Sequence, residues 1–470
     1  MKLQIIFKQL FYFVLYCKFI LLLVIYFNMN IKNNVFIRST IILIIGGAIT
    51  KFISMFIKVV LARLIGTEGM GLYMLISPTF MLLMAIASLG FPVAISKLVA
   101  EENRNNKNLV FSIIPISLII NLFIIVFVIF TSSYISSNLL HDKRCYYALL
   151  CIGFVLPFIS VSSILRGYFF GKQNMIPHVV SNVTEDIIRL VALIIGVPLF
   201  IEYGIEYAVA FVVLTNVISE LTSIFVLFFF LPKNFKLKKS DLKPSFNNIK
   251  DVFNIGIPTT MSRIIGTVGY FFEPIVLTYC LLSGGYTNSF VVNEYGIING
   301  FIMPLILIPS FFTMAISQAL IPNISKPYIN GHYKYIKKKI KLAIILSLII
   351  GIPATVLFEI VPEIPMKFIY NNITGIEYIK FLAPIALFHY IQSPLTASLQ
   401  AMGKAKEAMH GTLIGTIVRI VCLYILSNMH IGMWSLVFSS GINMFVVTIH
   451  QFLHVKNALN FDIKKSRSGL

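Results

Sequence analysis

Long apolar runs broken by short polar stretches dominate the chain. A helix crossing about 30 Å of hydrocarbon needs ~20 mainly apolar residues, since each adds about 1.5 Å. Thirteen such runs occur, at 5–27, 39–62, 71–96, 109–132, 146–166, 178–201, 205–231, 251–280, 291–321, 341–362, 376–400, 409–428 and 431–455. Nothing alternates with the period of a strand, so the pattern predicts an all-α polytopic membrane protein and not a β-barrel. The first run stands apart. It carries Lys8 and Lys18, and Phe27-Asn28-Met29 follows it where a secretory cleavage site would need small residues. Residues 1–28 are therefore expected to be either an upstream extension or an extra anchor helix, which leaves twelve core helices.

The twelve core runs repeat at long offset. Phe91-Pro92-Val93-Ala94-Ile95-Ser96 recurs as Phe312-Thr313-Met314-Ala315-Ile316-Ser317, Gly171-Lys172 recurs as Gly403-Lys404, and Ile187-Ile188-Arg189-Leu190-Val191 recurs as Ile417-Val418-Arg419-Ile420-Val421. Three matches in the same order predict two six-helix halves, 29–232 and 251–455, joined by a basic linker at 233–250 and followed by a basic tail at 456–470. Six is even, so the halves would be parallel repeats about an axis along the membrane normal, with a substrate site between them near the midplane.

Composition agrees with that reading. Apolar types make up 58% of the chain and charged residues 12%, against about 25% charged in an ordinary soluble domain, so much of the surface must face lipid. Lys and Arg outnumber Asp and Glu by 38 to 18. On the predicted topology 25 of the basic residues fall on the side where the run 39–62 begins, against four (Arg63, Lys143, Arg144 and Lys367) on the other. Basic loops stay inside, so the start of the first core helix and the C-terminus are expected on the cytoplasmic side of the membrane. The same bias accounts for the net charge of +20 without nucleic acid; contact with anionic lipid headgroups fits the basic loops better. Five cysteines, Cys17, Cys145, Cys151, Cys280 and Cys422, lie in or beside apolar runs without metal-ligand spacing and are expected to be small hydrophobes.

Charges inside spans cost about 2.5–3.5 kcal/mol each on insertion scales and need a partner or a wet cavity. Lys51 and Lys58 are seven residues apart, about 20° short of two full turns, so they point the same way. Lys51 and Arg263 are each thirteenth in the first run of their half. They are expected to form a cationic cavity between the halves; the alternative has Lys58 reaching outward while Lys51 and Arg263 each pair inside their own half. Glu185 precedes Arg189 by four residues, the favourable order for an intrahelical pair, with Asp186 and Glu220 as further partners. These four are expected to lock the first half. Arg419 has no evident partner. Glu273 and Glu294 could bind a coupling cation or pair with Lys58, so all three are candidates for a substrate or coupling role. Pro258, Pro274, Pro304 and Pro309 predict bent or broken helices, whether as cavity walls or as ordinary kinks. His450 and His454 share a helical face but sit at a helix end and read as interfacial polar residues. No phosphate-binding loop, zinc-protease motif or nucleophile elbow is present, so neither catalytic, cofactor nor metal-ligating residues are assigned.

Several segments resemble the stage V sporulation protein B family. They are Arg38-Ser39-Thr40-Ile41-Ile42-Leu43-Ile44, Gly66-Thr67-Glu68-Gly69-Met70-Gly71-Leu72-Tyr73, Gly90-Phe91-Pro92-Val93-Ala94-Ile95-Ser96-Lys97, Leu165-Arg166-Gly167-Tyr168-Phe169-Phe170-Gly171, Phe271-Phe272-Glu273-Pro274-Ile275-Val276 and Gln400-Ala401-Met402-Gly403-Lys404. That family lies in the polysaccharide-transporter branch of the multidrug/oligosaccharidyl-lipid/polysaccharide flippase superfamily, and the likeness covers about 35–455. It implies a non-enzymatic flippase for a lipid-linked oligosaccharide, in particular lipid II for spore cortex peptidoglycan, working with membrane lipids and cell-wall synthases as partners. It also implies that basic residues of the first helix and of the start of the second half line the cavity, which falls on Lys51, Lys58 and Arg263 by position in the fold. Many relatives carry fourteen helices. Two rival readings stay open: a cation-coupled drug exporter of the same superfamily, which would need cavity carboxylates, and a non-transporting scaffold for cell-wall synthesis.

Overall fold

A computed structural model describes residues 35–101, 106–232 and 246–468; the run 5–27, the extension 1–28 and most of the linker at 233–250 lie outside the described residues. The described residues are helical throughout, without strands. In chain order the helices are α1 (Val35–Ala87), α2 (Phe91–Ala100), α3 (Asn106–Tyr134), α4 (Cys145–Gly171), α5 (Ile176–Ile201) and α6 (Ile205–Phe229) in the first half. The second half has α7 (Phe246–Ser283), α8 (Asn288–Gly296), α9 (Met303–Ile306), α10 (Ser310–Ile329), α11 (Tyr333–Ile360), α12 (Glu363–Tyr370), α13 (Ile376–Ala401), α14 (Ala405–Ser427) and α15 (Trp434–Ser468). Nine helical stretches among the described residues are long and apolar enough to cross a membrane. The predicted spans 39–62 and 71–96 share one of them, because α1 runs through both with a kink at Gly66. The spans 178–201 and 376–400 correspond to α5 and α13, which have the length, 26 residues each, but are interrupted by polar groups, Glu185, Asp186 and Arg189 in α5 and Glu377, Lys380, His389 and Gln392 in α13, and stand outside the nine.

Breaks fall where the sequence supplies glycine and proline. Gly66 has φ 68° and ψ −167°, a conformation that costs glycine alone nothing, and it divides α1 into a first arm and a second arm. The second arm ends at Ser88-Leu89-Gly90, with Gly90 left-handed at φ 63°, before α2 restarts with Pro92 in its first turn. The span after α8 behaves alike: a π-helical stretch (Ile297–Ile302) leads into α9, and the helix breaks at Leu307–Pro309 before α10. Gly66 and Gly285, both at positive φ, end the first arms of the two halves, 285 − 66 = 219 residues apart. The breaks at Ser88 and Leu307 are again 307 − 88 = 219 apart.

The apolar core has a telling shape. At the end remote from the basic loops, called distal here, one continuous cluster runs through both halves and takes in Ile53, Leu72, Ile152 and Val209 together with Leu277, Tyr295, Phe358 and Leu436. At the opposite, basic end there are two separate clusters. One, with Phe91, Leu109, Ile164, Leu227 and Val252, belongs to the first half and the start of α7; the other, with Leu320, Ile340, Leu395 and Val455, belongs to the second half. The halves therefore share one core distally, while at the basic end their cores are separate and the start of α7 packs with the first half.

Candidate functional site: cations along the seam

Small residues build the distal closure. A side-chain carbon added to Gly71 would lie 2.0 Å from the Val292 carbonyl oxygen, and one added to Gly296 would lie 2.3 Å from that of Thr67. Backbones this close exclude any Cβ, the way membrane helices gain contact without a hydrophobic driving force between them. Polar contacts reinforce the joint. The Thr67 hydroxyl donates to Asn293 Oδ1 at 3.2 Å, and Asn288 Nδ2 donates to Asp142 Oδ2 at 3.0 Å. Arg63 donates from Nε to the Ile369 carbonyl at 2.6 Å and from Nη2 to the Phe368 carbonyl at 2.7 Å. Beside this joint, outside the spans, Arg144 donates to both oxygens of Asp142 and to Glu68. The hydrogen bonds to Asp142, ahead of those to Glu68, hold its guanidinium above the ordinary arginine value.

On the first arm of α1 the packing fixes which way the lysines face. Gly46 lets the arm lie directly on α5, since a Cβ there would be 2.4 Å from Val179. Ile53 and Val60 are buried and stand about 200° and 180° around the helix from Lys51. Lys51 and Lys58 therefore point away from Ile53 and Val60, and both are exposed. Among the described residues neither enters an ion pair.

Arg263 lies on the face of α7 that meets the first half. Gly256, two turns earlier, touches the break in the first half so closely that a Cβ would sit 2.4 Å from the Leu89 carbonyl oxygen. Arg263 Nη1 reaches Ser88 Oγ at 3.5 Å across the seam, and the residue is exposed without a carboxylate partner among the described residues. One expectation needs correcting. Lys51 lies 66 − 51 = 15 residues from the end of its arm and Arg263 lies 285 − 263 = 22 from the end of α7, so Arg263 sits about 10 Å nearer the basic end. At the 219-residue offset Lys51 matches Tyr270 and Arg263 matches Ile44. Arg263 thus stands where α7 meets the first half, Lys51 and Lys58 are exposed on the first arm of α1, and Lys51 and Arg263 are not a duplicated pair at one level.

The buried charges stay inside their halves, with partners that the sequence reading assigned otherwise. Glu185 accepts from Arg166 Nη2 at 2.6 Å, and Glu220 lies 3.6 Å from the same nitrogen. Ser223 Oγ accepts from it at 2.9 Å. The expected Glu185–Arg189 pair is thus replaced by one with Arg166, in the last turns of α4. Asp186 is buried beside this cluster and Arg189 is half-buried. In the second half Glu273 accepts from Arg419 Nη2 at 2.8 Å, from the Tyr295 hydroxyl at 3.3 Å and from Asn299 Nδ2 at 3.5 Å. Arg419 also donates to Ser440 Oγ at 3.0 Å. Glu273 therefore pairs with Arg419, not Lys58, and Arg419 has the partner it lacked in the sequence. Glu294 accepts from the Tyr378 hydroxyl at 2.9 Å, also within the second half. An apolar run interrupted by one charge, Ile164-Leu165-Arg166, was the signal for Arg166. Nothing local marked Ser88.

Comparison with known proteins places the chain. The model of the family described as polysaccharide biosynthesis protein matches residues 36–327, and the MatE model matches 267–425. Stage V sporulation protein B of Bacillus subtilis (strain 168) is 36% identical over 445 residues, covering 92% of this chain and 86% of that protein. The lipid II flippase MurJ of the same organism is 21% identical, covering 82% of this chain and 76% of that protein. An inward-facing multidrug resistance MATE family transporter has the same fold, with a TM-score of 0.70 at 16% identity over 89% of this chain and 96% of that one.

Proposed function

The chain belongs to the polysaccharide biosynthesis protein family that includes stage V sporulation protein B, and from that premise we propose that it flips a polyprenyl-diphosphate-linked glycan, specifically lipid II for spore cortex peptidoglycan, from the inner to the outer leaflet of the bacterial cell membrane. The basic end is cytoplasmic in this reading, and the distal closure faces outward. The observation that carries it is that Lys51, Lys58 and Arg263 are exposed without a carboxylate partner among the described residues, with Arg263 where α7 meets the first half.

A diphosphate entering an apolar bundle loses its hydration and needs countercharge; lysine and arginine supply charge-assisted hydrogen bonds to its oxygens. Arg263, nearer the cytoplasm, meets the headgroup first and passes it to Lys51 and Lys58 as the halves rock. The distal glycine joint then opens while the basic end closes. A potential of about 100 mV, negative inside, favours outward movement of each negative charge by about 2.3 kcal/mol, and the emptied cationic site is drawn back inward by the same field. Export of cationic drugs suits this seam less well, because Glu273 is neutralised by Arg419.

Reconstitution with a fluorescent polyprenyl-diphosphate glycan tests the proposal. Outer-leaflet appearance of the label should rise when an inside-negative potential is imposed and should be lost in Lys51→Ala and Arg263→Ala. Full transport by both variants would overturn the site assignment.

A further inference from the structure

At the distal rim a cavity of about 930 Å³ lies between the halves. The end of the first arm of α1 and the last turns of α5 wall it on one side, and α12 with the Asn371–Asn372 turn walls it on the other. The placement of charge is unexpected. The predicted distal loops carry four basic residues among the described residues, and two of them, Arg63 from the first half and Lys367 from the second, line this one cavity.

Arg63 spends Nε and Nη2 on the last carbonyls of α12, where a cation is favoured by the helix C-terminus, and this leaves Nη1 for a ligand. Lys367 is exposed and enters no ion pair among the described residues. Its neighbours on α12 are apolar and bare: Ile364 is 62% exposed and Phe368 82%. Positions 364, 367 and 368 share one face of the helix, while Met366 and Tyr370 are buried on the other. A cation between two exposed apolar side chains, at the level where the spanning helices end, matches the boundary between lipid headgroups and acyl chains.

We propose that this cavity binds the headgroup of a phospholipid of net negative charge, its phosphate held between Lys367 and Arg63 and its acyl chains against Ile364 and Phe368. The bound phosphate bridges the two halves through these residues and so holds the distal end closed. The site is separate from the seam cations and does not depend on what the chain transports.

The test uses the full-length protein in bilayers of phosphatidylglycerol carrying a photoactivatable acyl chain, with cross-linked peptides mapped by mass spectrometry. The α12 peptide should be labelled, and labelling should fall about fivefold in Lys367→Gln, the size expected for one interfacial lysine. Lys143→Gln, a change at another distal lysine that does not line the cavity, should leave it unchanged. Labelling that persists in Lys367→Gln, or that is equally strong with a phosphatidylcholine probe, would reduce the site to ordinary lipid contact and overturn the proposal. Displacement by excess inorganic phosphate would assign the cavity to a soluble anion and overturn the lipid as occupant.

Discussion

Arg419 and Lys51 both lie within apolar helices, yet their surroundings have nothing in common. Arg419 is enclosed among α7, α14 and α15 and meets Glu273 at 2.8 Å, with Tyr295 and Asn299 satisfying the second carboxylate oxygen. Lys51 is exposed, faces away from the packed side of its arm, and has another lysine for a neighbour two turns on. The same contrast separates Arg166, neutralised by Glu185 inside the first half, from Arg263, which crosses the seam to touch a hydroxyl. Charges within a half serve the fold and are cancelled there. Lys51, Lys58 and Arg263 are exposed without a carboxylate partner among the described residues, and a bundle retains such charges only where water or an anionic ligand compensates them.

The largest effect on stability is expected where a cancelled charge is broken. Arg419→Ala leaves Glu273 buried without its countercharge and should cost about 3–5 kcal/mol, read as a lower unfolding temperature in detergent. Replacing the pair together, Arg419→Met with Glu273→Gln, should recover a substantial part of that loss. If the double variant were no better than the single, the pair would not be the unit described.

A smaller effect is expected at the distal joint. In Gly296→Ala the new methyl meets the Thr67 carbonyl and the Gly71 backbone, so the halves must separate at a cost of about 1–3 kcal/mol. A single cysteine at Asn293, in a background with the native cysteines replaced, should then react faster with a membrane-impermeant thiol reagent. An unchanged rate would mean that the joint tolerates bulk and does not gate that end.

Least of all should happen to stability when the seam cations are removed. Lys51→Gln and Arg263→Gln are expected to leave unfolding within about 0.5 kcal/mol of the parent, as exposed positions do. A loss like that of Arg419→Ala would show that these residues also serve the fold, and the contrast between the two sets would fail.

Much of this was legible in the sequence. Apolar runs with short breaks disclosed the helices, because lipid enforces length and composition on every span, and the recurrence of Phe91–Ser96 at Phe312–Ser317 predicted related halves. Partner choice was not legible. Glu185 stands four residues before Arg189, but Arg166 of α4 reaches it across helices, and rotation about the helix axis decides such a contest without a local trace. Depth was misjudged for a simpler reason: counting from the start of an apolar run put Lys51 and Arg263 level, whereas the run 251–280 is longer than the run 39–62, so the two residues differ when counted back from Gly66 and Gly285. The run 291–321 also concealed a π-helical stretch and a break, which Pro309 announced but could not place.

The central claim is that the exposed seam cations receive a diphosphate, and binding tests it more directly than transport. Affinity of the purified protein for a polyprenyl diphosphate should fall about tenfold or more in Lys51→Gln and again in Arg263→Gln, the loss expected for one charge-assisted contact each, while Lys406→Gln on the basic side remains at the parent value. Equal affinity in the parent and in the Lys51→Gln/Arg263→Gln double variant would contradict the account.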